Sequence, residues 1–181
     1  MLVEKTDIDG LYVLSPKVYG DNRGWFTETY SKRKLQEEGL AADFVQDNHS
    51  FSAQKGTLRG LHFQINPMSQ IKLIRCSRGA VRDIVVDLRK NSPTYKKWFS
   101  IELTEENQKQ LWIPKGFAHG FLAIQENCEI QYKVDAYYSP EHDRSVRYDD
   151  PEIGIDWEVA EPILSKKDLD APLLSESDAN F

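Results

Sequence analysis

The rhythm of this chain constrains it most. Short runs rich in β-branched and aromatic residues, "LYVLSPKVY", "GWFTETY", "TLRGLHFQ", "IKLIRC", "AVRDIVVDL", "KWFSIEL", "QLWIP", "HGFLAI" and "EIQYKV", recur between Gly, Pro, Asn and Ser. Runs of this kind bounded by turn formers read as strands. One stretch reads as helix, "SKRKLQEEG", with Ser31 placed to cap it and Gly39 to stop it. Many strands, few helices and no break in composition predict one all-β domain over residues 1–181, a β-sandwich or jelly roll. Within it, Gly79 of "CSRGA" is placed for a tight hairpin turn. In "AVRDIVVDL" Val81, Asp83, Val85 and Asp87 share one parity, and Arg82, Ile84, Val86 and Leu88 the other. Neither face is cleanly polar, which predicts a strand deep in a sheet with one face lining a pocket. Pro162 and Pro172 mark a C-terminal arm over the surface, ending in a frayed "SESDANF".

Charge narrows the function classes. A formal net charge of -6 argues against a general nucleic-acid or membrane-surface binder, though local basic residues can still hold a small anion. Cys76 and Cys128 match no paired metal spacing and suggest structural thiols in a reducing compartment. The opening "MLVEKTDIDG" is acidic where a signal peptide would be apolar, and no later run is long and apolar enough to span a bilayer. A cytoplasmic protein is expected. "NHS" at Asn48 matches a glycosylation sequon, a pattern without meaning in that compartment.

Two segments carry polar groups where a strand prefers apolar ones: "GTLRGLHFQ" and "PKGFAHGF". Both resemble the motifs of the cupin jelly rolls, Gly, five residues, His-x-His, then Glu, and Pro-x-Gly-x-x-His, then Asn. Gly56 stands six before His62, and Pro114, Gly116 and His119 keep the second spacing. The departures are specific: Gln64 replaces the second His, no Glu follows at the required distance, and Ala123 stands where the Asn would be. A firm Zn²⁺ or Fe²⁺ site needs at least three protein ligands, so neither metal nor other cofactor is expected.

The wider resemblance is to the dTDP-4-dehydrorhamnose 3,5-epimerases, metal-free cupins. It runs through "DNRGWFTETY", "FVQDNHS", "LRGLHFQ", "KLIRCSRGAVRDIVVDLRKNSPTY", "QLWIPKGFAHGF", "YKVDAYYSPEHD", "DDPEIGIDW" and "LSKKD" in order. It implies His62 as a base oriented by Asp168, Tyr132 as an acid on the opposite face of a sugar, and Lys72 as the partner of a developing enolate oxygen. It further implies that Arg23, Glu28, Gln46, Asn48, Arg59, His119, Tyr138, Asp143 and Lys167 line the nucleotide and sugar site. Arg59 and Lys167 are suited to phosphate and Tyr138 to the base ring. Arg23 and Glu28 sit on a strand that the family exchanges into the partner's sheet, so a homodimer with a composite site is implied.

The chemistry makes sense of such a set. A C4 ketone acidifies the C–H bonds at C3 and C5, and inversion needs a base on one face, an acid on the other and positive charge at the oxygen. In a regular strand Arg59 and His62 point to opposite faces, so joint service requires a bulge or kink at Gly60. Relatives usually have a small or hydroxyl residue where this chain has Ile71, and an aromatic or apolar residue where it has Arg82. Either change could reshape the sugar pocket, which leaves a 3-only epimerase as the alternative. A metal-dependent cupin and a non-catalytic sugar-binding jelly roll are the remaining rivals.

Overall fold

The computed structural model describes residues 1–181. In chain order the strands are β1 (Leu2–Lys5), β2 (Tyr12–Ser15), β3 (Val18–Asp21), β4 (Gly24–Thr27), β5 (Gln46–Ser52), β6 (Leu58–Gln64) and β7 (Lys72–Arg78). They continue with β8 (Ala80–Asp87), β9 (Trp98–Thr104), β10 (Gln110–Ile113), β11 (Phe117–Ala123), β12 (Cys128–Val134) and β13 (Asp143–Ser145). Of two short helices, α1 (Lys32–Glu37) lies between β4 and β5 and α2 (Lys166–Leu169) follows β13. The strands form a six-stranded sheet, β1-β2-β10-β7-β12-β5, and a five-stranded sheet, β13-β6-β11-β8-β9, with β3 and β4 pairing only with each other. All ladders are antiparallel. This is the expected jelly roll.

Inward-facing Val13, Ile74, Val81, Val85, Leu103, Leu111, Phe121 and Ile130 fill the space between the sheets. The outer face of the five-stranded sheet is covered too. Ile84 and Val86 of β8, with Leu88 just beyond its end, pack there against Trp157, Leu174 and Ala179 from the C-terminal segment. A strand buried on both faces has no polar side, which is why the alternation in "AVRDIVVDL" was blurred. Leu35 of α1 and Leu40 cover the outer face of the six-stranded sheet together with Leu14, Leu73 and Trp112.

Three expectations need correction. Gly79 has a positive φ of 71°, but β7 and β8 do not pair: the turn carries the chain from one sheet to the other and makes no hairpin. Ser31 occupies the N-cap position of α1 without a side-chain capping bond. Gly39 does stop the helix, with φ 78°, while the N–H groups of Gly39 and Leu40 return to the carbonyls of Gln36 and Leu35. The tail is docked, not frayed. Ala179 is buried, Asn180 exchanges hydrogen bonds with Asn66, and the Phe181 ring meets Phe63 edge-on.

Candidate active site

The site begins with an irregularity in β6. His62 is opposite His119 on β11 and Arg59 is opposite Phe121, so Gly60 and Leu61 together face the single residue Gly120. This bulge resets the parity of the strand and turns Arg59 and His62 toward one cavity. Only glycine fits: Gly60 has φ +125°, and a Cβ there would stand 2.5 Å from Gly120 Cα and 2.8 Å from the His119 carbonyl oxygen.

Behind the bulge stands α2. Ser165 caps it, accepting from the Asp168 N–H at 3.1 Å and donating its hydroxyl to Asp168 Oδ2 at 2.7 Å. The helix thereby aims Asp168, which is almost completely buried, at the back of His62, with Oδ1 2.5 Å from Nε2. Burial alone would raise the Asp168 pKa, but the hydrogen bond and charge of His62, the Ser165 hydroxyl and the Gly60 N–H together hold it below the usual carboxylate range.

Three further groups share the cavity. Lys72, at the start of β7, is 9% exposed and has no carboxylate within ion-pair distance, and burial brings its pKa down to about 8. Tyr132, half-buried on β12, has its pKa raised by burial and by the charge of Asp143, so its hydroxyl keeps the proton. His119 is buried on β11, and its Nε2–H donates to both oxygens of Asp83 at 3.1 and 2.9 Å. Burial, with the charges of Lys72 and His62, lowers its pKa despite Asp83.

The cavity, about 330 Å³, is walled by Ser50, Arg59, His62, Lys72, His119, Tyr132, Lys167 and Asp168 among others. A second space of about 240 Å³ shares His62, Lys72, Tyr132 and Lys167 with it and adds Gln46, Asn48, Tyr138 and Asp143. Around this outer part Gln46 accepts from the Tyr138 N–H at 3.1 Å and donates to Asn48 at 2.9 Å. Lys167 lies 2.5 Å from Asp143. Arg59 donates to Ser52 Oγ at 3.2 Å and to the Phe51 carbonyl at 2.9 Å.

Arg23 and Glu28 are elsewhere. Arg23 pairs with Asp21 at 2.5 Å and Glu28 with Lys34 at 2.7 Å, both in the exposed segment around the β3–β4 hairpin. The sequence departures also lie outside the cavity. Ile71 packs into the outer cluster around Trp112, and Arg82 pairs with Glu158 at 2.6 Å behind the other sheet. Neither lines the cavity directly.

Sequence reasoning passed over Asp83 and the work of Gln64. Asp83 carried a signal, a carboxylate in register with the inward valines of β8. Gln64, where a cupin would have its second histidine, instead donates to the Met68 and Tyr137 carbonyls at 2.7 and 3.2 Å and accepts from the Ser139 N–H at 2.7 Å. It ties two rim loops together. With Gln64 so engaged, and with His62 and His119 each held by its own carboxylate, no three His, Cys, Asp or Glu side chains gather as a metal-binding set.

Fold and site together define a cupin in which the histidines at the usual ligand positions, His62 and His119, are each paired with a carboxylate. Comparison gives the family. The family model described as dTDP-4-dehydrorhamnose 3,5-epimerase matches residues 5–176. A relative of that name from Sinorhizobium fredii (strain NBRC 101917 / NGR234) is 47% identical over 182 residues, covering 100% of this chain and 93% of its own. The Bacillus anthracis enzyme of that name, solved with TDP and PPi bound, superposes with a TM-score of 0.94 at 50% identity, over 96% of this chain and 99% of that one. A Legionella pneumophila dTDP-6-deoxy-D-glucose-3,5-epimerase, in complex with dTDP-4-keto-L-rhamnose, superposes with a TM-score of 0.93 at 45% identity, over 98% of this chain and 94% of that one. The chain belongs to the dTDP-4-dehydrorhamnose 3,5-epimerase family and is an epimerase.

Proposed function

We propose that residues 1–181 act as one domain that inverts C3 and C5 of dTDP-4-dehydro-6-deoxy-D-glucose, giving dTDP-4-dehydro-L-rhamnose. The observation that carries this reading is the His62–Asp168 contact inside a cavity that also holds Tyr132 and Lys72. An Asp168 carboxylate accepting from Nε2–H leaves Nδ1 of His62 as the free base. That nitrogen takes the proton from C3, and the C–H electron pair moves onto the C4 oxygen beside the Lys72 ammonium. The Tyr132 hydroxyl then delivers a proton to C3 from the opposite face and the C4 carbonyl re-forms. Exchange with solvent returns the lost proton to Tyr132 and removes the captured one from His62, and the cycle repeats at C5. Arg59 and Lys167 hold the diphosphate, Tyr138 stacks on the base, and Gln46, Asn48, His119 and Asp143 supply polar contacts. This remote binding energy keeps the ring in place while its carbons invert.

Arg23 and Glu28 enter the same proposal through a second copy. The β3–β4 hairpin leaves Trp25 60% and Phe26 68% exposed, and β5, which carries Gln46 and Asn48, is an unpaired edge of its sheet. An uncovered apolar hairpin and an open edge beside the cavity support a homodimer that exchanges the hairpin and completes each site in trans. The free thiols of Cys76 and Cys128 fit a cytoplasmic location.

The test is incubation with dTDP-4-keto-6-deoxyglucose in D₂O, followed by NMR. Deuterium entering at both C3 and C5 supports the double epimerase, and label at C3 alone supports the 3-only reaction. Light scattering on the same sample tests the dimer, which a fully active monomer would contradict.

A further inference from the structure

One buried carboxylate takes no part in the reaction just described. Asp83 is fully buried in the middle of β8, and His119 is its hydrogen-bonding partner. Nothing in the packing of a jelly roll calls for a charge there, because its neighbours of the same parity, Val81 and Val85, belong to the apolar interior. Lys72, also buried, has no carboxylate at contact distance, and Asp143, then Asp83, are the negative charges that act on it.

Resting on the epimerase reading, we infer that Asp83 is a positioning residue for the reaction. It fixes His119 with its proton on Nε2, leaving Nδ1 as an acceptor for the substrate, and together with Asp143 it supplies the negative charge that favours Lys72 as an ammonium. The hydrogen-bond geometry supports the first role. Both Asp83 oxygens lie within hydrogen-bond distance of His119 Nε2, while Nδ1 makes no hydrogen bond within the chain. Burial lowers the pKa of His119, so the ring that donates to Asp83 is the neutral imidazole at pH 7. Around Lys72 stand Asp83 on β8, Asp143 on β13, Lys167 on α2, His62 on β6, His119 on β11 and Tyr132 on β12. Lys167 opposes the ammonium and already pairs with Asp143, and His62 is paired with Asp168. Asp143, the larger negative influence on Lys72, is thus shared with Lys167, and Asp83 is the second, fully buried negative charge that favours the proton on Lys72.

Asp83→Asn keeps the shape and an acceptor for Nε2–H but removes the charge. Losing a nearby negative charge lowers the pKa of Lys72, so the alkaline limb of the kcat profile should move about one pH unit toward acid, with KM at pH 6 changed less than threefold. A limb that stays in place would overturn the inference, even if kcat falls uniformly. If Asp83→Asn does not fold, the wild-type protein still decides. Its ¹⁵N-labelled His119 ring, assigned by comparison with His119→Gln, should show the proton on Nε2 and no titration between pH 7 and 9. A proton on Nδ1, or titration in that range, would overturn the inference. A wild-type chain without turnover would fault the functional reading instead, and the ring spectrum would still test Asp83.

Discussion

His62 and His119 face one another in direct register across β6 and β11, yet each commits Nε2 to a different buried carboxylate, Asp168 for the first and Asp83 for the second. Two imidazoles held apart in this way are poor partners for one ion, since sharing it would require breaking both pairs. Turnover is therefore expected to be unchanged after dialysis against EDTA and unchanged by added divalent metal. Initial rates before and after chelation check this, and restoration of a lost rate by one metal would contradict it.

The pair containing Asp168 should matter through His62. Replacing His62 by Asn removes the base while keeping a polar side chain, so exchange at C3 and C5 should fall by about 10²–10⁴-fold. Asp168→Asn disturbs orientation and basicity only and should cost less, on the order of tenfold to a hundredfold. Calorimetric titration with dTDP should show nearly unchanged affinity in both variants. A His62→Asn protein turning over at the wild-type rate would remove His62 from the mechanism.

Lys72 should trade stability for function. Its pKa in the folded chain is about 8 against an ordinary 10.5, so the folded state holds fewer protons than the unfolded one between those values. Stability contributed by this group therefore rises as pH rises from 8 to 10.5, and the burden of the buried ammonium is fully present below pH 8. Lys72→Met should abolish turnover yet stabilise the fold at pH 7 by up to about 3 kcal/mol, with the gain shrinking toward pH 10. Urea unfolding of both proteins at the two pH values measures the difference, and a destabilised variant at pH 7 would contradict the account.

The bulge should be as sensitive as the groups it aims. A methyl at Gly60 meets backbone atoms at 2.5 and 2.8 Å in a left-handed conformation, and neither neighbour is the movable end of a side chain. Gly60→Ala should cost roughly 3 kcal/mol or more of stability and most of the activity. Gly39→Ala, where nothing lies within 4 Å of the added carbon, should cost only about 1 kcal/mol and spare turnover. Denaturant midpoints and rates for the two variants make the comparison.

The legible parts of this chain were those with local physical signals. The rhythm of apolar runs marked most strands, and the clash of parity between Arg59 and His62 required a bulge at Gly60, which is where it lies. Strand β5 passed unnoticed, because "QDNHSFS" places polar groups inward toward the cavity and leaves Phe51 half exposed on the other side. Asp168 had no local signature, being joined to His62 across 106 residues of chain, and only the family resemblance pointed to it. Gly79 misled for a related reason: a tight turn looks the same in sequence whether the next strand pairs or crosses to the other sheet. The tail reads as polar, but Ala179 and Phe181 meet an apolar face that only the completed sheet presents.

The central claim is that base and acid act from opposite faces of one ring, and Tyr132→Phe in D₂O tests it most directly. With His62, Asp168 and Lys72 intact the enolate should still form, and His62, after exchanging its captured proton with solvent, can return deuterium only to the original face. NMR of the substrate pool should show label entering at C3 with configuration retained, while inversion falls at least tenfold further than exchange. If exchange and inversion fall together, Tyr132 serves enolisation or binding, and the two-faced mechanism is contradicted.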